Sequence, residues 1–275
     1  MKLSEVKKKC SEGRFYKYDH WIDHLFVPPS IVLVWVFVNL KISGNSVSIL
    51  SGLLAIFCGI LISSSDVRLI LIGSFGYAIF LLLDYADGSV SRINKKAGIG
   101  GQYVDWIMHV VACVGMTTGI FIGAYNLYGN WVIPFGILSV VGSALSLDRF
   151  SFAWFAIIMH YQQQKLKGTP HKKVVVESDL KKPSLVFKII RRMCIFLFHE
   201  NFAFYLYPIL AVLHIFLSNF FDFRVLIILF GGVIYFPFLI YDIIRLSSSS
   251  NIGNMYNNTF LSDKKPNLPN DHFFN

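Results

Sequence analysis

The sequence predicts an all-α, polytopic membrane protein with about six transmembrane helices and an N-terminal interfacial helix. Three observations carry this. Of the 275 residues, 55% are apolar, 16% aromatic and only 15% charged, with a positive mean hydropathy, whereas soluble domains carry about 25% charged residues. Six apolar stretches reach spanning length or come close to it, at 46–64, 68–88, 102–124, 131–155, 201–219 and 224–244, near the ~20 residues that cross a bilayer as a helix. Of the 25 Lys and Arg residues, 21 fall in the segments that share one side when the N-terminus is inside, as the positive-inside rule requires.

In chain order, residues 1–43 precede the first span. The first twenty are polar and basic, with Lys2, Lys7, Lys8, Lys9, Arg14 and Lys17, and no signal-peptide core follows directly, so this tail is expected in the cytosol. From Trp21 to Lys41 the chain is apolar and aromatic, and Pro28-Pro29 is expected to break it. An interfacial helix fits best; penetration by 30–42, short for a span, is the alternative. Residues 44–246 form the six-span domain. With the N-terminus inside, the cytosolic segments take Arg92, Lys95 and Lys96, the many lysines and arginines of the 160–199 loop, and Arg245, Lys264 and Lys265; the outer loops hold only Arg68 and Arg224. A multi-pass protein of the cell membrane follows, with both termini cytosolic.

The 160–199 loop is basic, with an amphipathic pattern over LVFKIIRRMCIFLF. It reads as a topology anchor or as a contact for anionic lipid. The tail at 247–275, rich in Ser, Asn and Pro, reads as disordered. Cys10, Cys58, Cys113 and Cys194 are isolated and suggest neither a disulfide framework nor a zinc site.

The chemistry concentrates in residues 84–109. Asp84, Asp87, Gly88 and Ser91 share one stripe at helical spacing, and Arg92 closes that helix. A basic turn with Asn94, Lys95, Lys96 and Gly98 leads to a second helix bearing Gly101, Asp105 and His109, four residues apart. A carboxylate at the bilayer centre costs about 2.5–3.5 kcal/mol, less near the interface. Three of them beside small glycines call for a counter-ion, and hard divalent cations prefer carboxylate and phosphate oxygen. The pattern points to a metal and phosphate site at a membrane surface.

These residues resemble the signature of the CDP-alcohol phosphotransferase family, D(x)2DG(x)2AR(x)8G(x)3D(x)3D. Asp84, Asp87, Gly88, Arg92, Gly101 and Asp105 stand in register; Ser91 replaces the family's alanine and His109 its fourth aspartate. The resemblance implies an integral-membrane enzyme that moves a phospho-alcohol group from a CDP-alcohol, such as CDP-diacylglycerol, to an acceptor hydroxyl and releases CMP, in phospholipid or related biosynthesis. It implies Mg2+ or Mn2+ held by Asp84, Asp87 and Asp105. It further implies a substrate pocket shaped by Gly88, Ser91, Arg92 and Gly101, an active site facing the cytosol, and a homodimer among membrane lipids. No nucleic-acid partner is expected. In the family the fourth aspartate takes the acceptor's proton. A neutral histidine can do the same near neutral pH, so His109 is the expected catalytic base, although it brings one fewer negative charge to the metals.

Two rival classes remain. A non-catalytic membrane pseudoenzyme would keep nucleotide or metal binding, with His109 only packing in the site. A transporter would use the acids as an ion path, but they gather at one end and no inverted repeat is apparent. Outside the signature, Asp148 and Arg149 in the fourth stretch read as an ion pair or as a seat for an acceptor phosphate. Asp19, His20, Asp23 and His24 read as a wetted helix face more readily than as a metal site.

Overall fold

A computed structural model describes residues 1–12, 23–166, 200–217 and 222–247, together with residues 185, 189, 253, 256 and 257. All regular structure among them is helical: α1 (Leu3–Glu12), α2 (Asp23–Asn39), α3 (Gly44–Ile62), α4 (Val67–Ile93), α5 (Ile99–Tyr128), a 3-10 turn (Asn130–Val132), α6 (Ile133–Leu166), α7 (Glu200–Leu217), α8 (Phe223–Phe230), a π-helical turn (Gly231–Tyr235) and α9 (Phe236–Ser247). Four helices are long and apolar enough to cross a membrane, namely Gly44–Ile62, Val67–Ile93, Gly100–Tyr128 and Phe223–Ile244. Among the described residues, Phe26–Asn39, Asn130–Leu145 and Leu206–Leu217 are shorter apolar helices.

The side-chain pattern of α3 shows why such helices suit a membrane. Its inward face carries Ser48, Ser51, Gly52, Ala55, Cys58 and Gly59, whereas Ile49, Leu53, Phe57 and Ile60 point outward and are exposed. Small and polar inside with large and apolar outside reverses the soluble arrangement, and lipid tails solvate the outer face. The small residues bring backbones together: a Cβ on Gly119 of α5 would strike the Gly59 carbonyl, and one on Gly59 would strike that of Gly115. The α3–α5 seam is therefore a backbone-to-backbone contact.

Helix starts are capped by the side chains that sequence rules favour. Ser43 accepts from the Ser46 amide, Asp66 from Arg68 and Asp222 from Arg224. At the end of α4 the amides of Asn94 and Lys96 bond to the Val90 and Ser91 carbonyls, with Lys95 turned to φ 55. That left-handed residue closes the helix and sends the chain back into α5.

Pro28 and Pro29, expected to break the segment before the first span, do not break it, because α2 runs through both. They sit in its N-terminal half, where the amides they lack would have paired only with the carbonyls of residues 24 and 25, close to the helix start. Of the tail at 247–275, Ser247 ends α9 and Gly253, Tyr256 and Asn257 are helical, while the remaining residues lie outside the described ones. Tyr256 is buried with its ring edge-on to His160, centroids 5.2 Å apart. A large aromatic side chain that finds apolar cover is worth ordering even within a polar tail.

Residues 160–166, expected in a loop, continue α6; most of the remaining 160–199 segment lies outside the described residues. Part of the first basic stretch is also helical. In α1, Val6 and Cys10 are buried against a cluster with Val34, Phe37, Val47, Leu83, Ala86 and Val90, while Lys7, Lys8 and Lys9 stay exposed. Arg224, read as an outer-loop residue, lies in the first turn of α8 and is 1% exposed. Its guanidinium forks onto Asp222, at 2.6 Å for the shortest contact, and donates to the Ile62 and Ser64 carbonyls at 2.9 and 2.7 Å. Five N–H donors let one arginine satisfy a carboxylate and the open end of α3 together.

Candidate metal centre

The α4–α5 hairpin places the signature residues at one end of the bundle. Helical spacing puts Asp84 and Asp87 on the inner stripe of α4, and the tight turn at 94–98 returns Asp105 and His109 alongside them. The Nε2 atom of His109 lies 2.6 Å from Asp84 Oδ1 and 3.5 Å from Asp105 Oδ1. One ligand atom from each of these three side chains falls within 4.8 Å of the other two. The imidazole also stands edge-on to Phe80, which is buried, with centroids 5.7 Å apart. A carboxylate on one edge and an aromatic face on another fix the ring's plane.

Asp87 occupies a different place from the expected ligand trio. Its carboxylate is buried, and its Oδ2 accepts a 2.5 Å hydrogen bond from Ser48 of α3. Asp84, Asp105 and His109 remain within its electrostatic reach. Three acids and a histidine therefore share the centre, with His109 in the cluster and Asp87 against the α3 wall. Asp105 is the most open of the four, its side chain 34% exposed, against 22% for Asp84 and 15% for His109.

The other signature positions serve the walls. Ser91 packs onto Gly44 of α3, where a Cβ would collide with its hydroxyl and with the Asp87 carbonyl. Gly101 faces Asn45, whose Oδ1 would lie 3.2 Å from an added Cβ. Gly88 has the Arg92 guanidinium as its nearest neighbour, 3.7 Å from where a Cβ would be, and Arg92 itself is exposed in the last turn of α4. The Asn94 side chain ties the turn to the Ile42 carbonyl. The side chains of Asp148, Arg149, Asp23 and His24, and all of Asp19 and His20, lie outside the described residues.

Sequence reading passed over Ser48, Asn45 and Phe80. The signal for the first two was present: SGNSVSILSG opens an apolar span with polar residues three apart, a costly pattern unless something meets them. Phe80 carried no signal, since it stands among the apolar residues of its helix.

The donor set can be tested against a divalent cation. Carboxylate oxygens match hard ions such as Mg2+ and Mn2+, while imidazole nitrogen is the weaker partner for them. Asp84 and Asp105 converge, with Asp87 beside them, so the residues fit a hard cation. His109 then suits hydrogen-bonding and proton transfer better than ligation. No protein-family model matches the chain, and no curated protein matches it.

Proposed function

We propose that this protein is a membrane phosphotransferase acting on a CDP-alcohol with a hard divalent cation. The observation that carries it is the convergence of Asp84, Asp105 and His109 within 4.8 Å, from two helix ends whose residues stand at the spacing of the CDP-alcohol phosphotransferase signature. A bound Mg2+ or Mn2+ would supply charge neutralisation to a diphosphate. Asp84 and Asp105 would hold it, with Asp87 as a further ligand.

The remaining work falls to the chain. The acceptor oxygen bonds to the phosphorus of the alcohol-linked phosphate, the bond to the bridging oxygen breaks and CMP leaves. The acceptor's proton passes to His109, which must start neutral. Asp84, 2.6 Å from Nε2, orients the ring and balances the positive charge it gains. Small Gly88 and Gly101 leave room at the mouth, and Ser91 and Arg92 line the nucleotide side.

The same reading takes the shorter apolar helices Asn130–Leu145 and Leu206–Leu217 as parts of two more spans, six in all, with α2 at the interface. The site end carries the exposed residues Lys41, Arg92, Lys95 and Lys96 and the lysines of α1. On this reading the positive-inside rule favours a multi-pass cell-membrane protein with site and termini on the cytosolic side. A homodimer accords with the resemblance.

The direct test is metal-dependent CMP release by detergent-purified protein from a panel of CDP-alcohols, including CDP-diacylglycerol. Loss of a general base lowers turnover by about 10²–10⁴-fold, so His109→Ala should fall by that factor and Asp105→Ala at least as far. Because His109 Nε2 already engages Asp84, a second reading is a pseudoenzyme that binds metal and nucleotide without turnover. Binding of CDP-alcohol with metal, but no CMP from any donor, would select it and sink the transferase.

A further inference from the structure

Ser48 belongs to α3, outside the signature, yet it donates a 2.5 Å hydrogen bond to the Asp87 carboxylate. Ser48 is 3% exposed, and its hydroxyl holds one proton with two acceptors in reach, Asp87 Oδ2 and the Gly44 carbonyl at 3.2 Å. The closer acceptor, the carboxylate, takes it. We propose that Ser48 is a positioning residue for the metal centre: by holding Oδ2 it fixes the rotamer of Asp87 and assigns the carboxylate's other oxygen to cation binding.

Three features of the packing support this. Asp87 is separated from Ser48 by a helix boundary, so the bond couples α3 to the hairpin that carries the acids. Gly44 lies one turn before Ser48 and lets Ser91 and the Asp87 backbone approach α3 closely, which brings the hydroxyl within range. Beyond Ser48, the Ser51 hydroxyl turns back to the Ser48 carbonyl at 2.7 Å, so this polar stripe is tied to its own helix. Buried carboxylates that ligate metals are in general oriented by such outer partners, whose loss lowers affinity or activity by about 10–100-fold.

The proposal rests on the metal-centre reading, but its test does not need turnover. Mn2+ alone would be titrated into detergent-purified full-length protein, by calorimetry or by the loss of free Mn2+ signal in electron paramagnetic resonance. Wild type would be compared with Ser48→Ala, Ser48→Thr, Asp87→Asn and the double variant Ser48→Ala/Asp87→Asn, each also melted without metal. Ser48→Ala is expected to weaken Mn2+ binding about 10–100-fold with a metal-free melting temperature near wild type. Ser48→Thr, which keeps the hydroxyl, should bind Mn2+ within a few-fold of wild type. The double variant should bind no more weakly than Asp87→Asn, because Ser48 acts through that carboxylate. Wild-type affinity in Ser48→Ala, additive losses in the double variant, or no Mn2+ binding by wild type would each overturn the proposal. Should Mn2+ bind as expected while no CDP-alcohol yields CMP, the transferase reading fails and the role of Ser48 stands.

Discussion

The two ends of this bundle treat buried charge in opposite ways. At the end formed by Ile62, Ser64 and the start of α8, one aspartate meets one arginine: Asp222 and Arg224 are almost fully buried, and the guanidinium's remaining donors close the last turn of α3. At the other end, three aspartates gather around one histidine, which carries charge only when protonated. The first arrangement is complete within the chain, as a structural staple must be. The second gathers carboxylate oxygens and an imidazole within ligand distance of one another, a donor set that fits a hard cation. A lone closed ion pair in a membrane bundle marks architecture; several carboxylates held at close range around one histidine mark a candidate site.

The largest expected effect breaks the staple. Removing one partner of a buried ion pair leaves the other uncompensated and costs about 3–5 kcal/mol. Arg224→Ala should therefore lower the melting temperature of the detergent-purified protein sharply, and Arg224→Ala/Asp222→Ala should recover part of the loss. If Arg224→Ala melts like wild type, the staple is not structural and the contrast between the two ends collapses. Next in size is the response to metal. A ligand at about 100 times its Kd stabilises the state that binds it by about 2.7 kcal/mol. Mg2+ or Mn2+ at that excess should raise the melting temperature of wild type and of Arg224→Ala alike, and should leave Asp105→Ala unmoved. Equal stabilisation of Asp105→Ala would place the ion somewhere else.

Much of this was legible in the sequence, for identifiable reasons. The six apolar stretches are helical over nearly all their described residues, and four helices are long and apolar enough to cross a membrane. The pairing of Asp84 with Asp105 and His109 followed from helical spacing on either side of a short turn, which leaves few other arrangements. What escaped reading depended on partners distant in sequence. Ser48 reaches Asp87 across 39 positions, and Arg224 reaches the Ile62 carbonyl across 162. No local pattern announces such contacts. The prolines of α2 misled for a related reason: Pro28-Pro29 argues for a break in a helix interior, whereas here the pair falls in the N-terminal half of a helix whose later residues pack against α4.

The smallest expected effect concerns α1, which covers the site end of the bundle and has no counterpart at the staple end among the described residues. Its apolar side is spent inward, where Cys10 is 1% exposed, and burial pushes that thiol up to about 11, the nearby Arg92 opposing weakly. Only the thiolate is alkylated, so the raised pKa slows labelling at pH 8 well below that of an ordinary thiol, before any steric shielding. Counting maleimide uptake at Cys10 by mass spectrometry, in a variant whose other cysteines are serine, should show this slow phase, and Val6→Asp should abolish it by expelling α1 from its cover. The metal melting shift should survive Val6→Asp, because the four side chains of the centre come from α4 and α5 and their contact on the third wall from α3. If expelling α1 instead abolished metal stabilisation, the site end would be built from four helices rather than three. Its cluster of carboxylates would then depend on α1, and the line between a closed structural end and an open functional one would have to be redrawn through that helix.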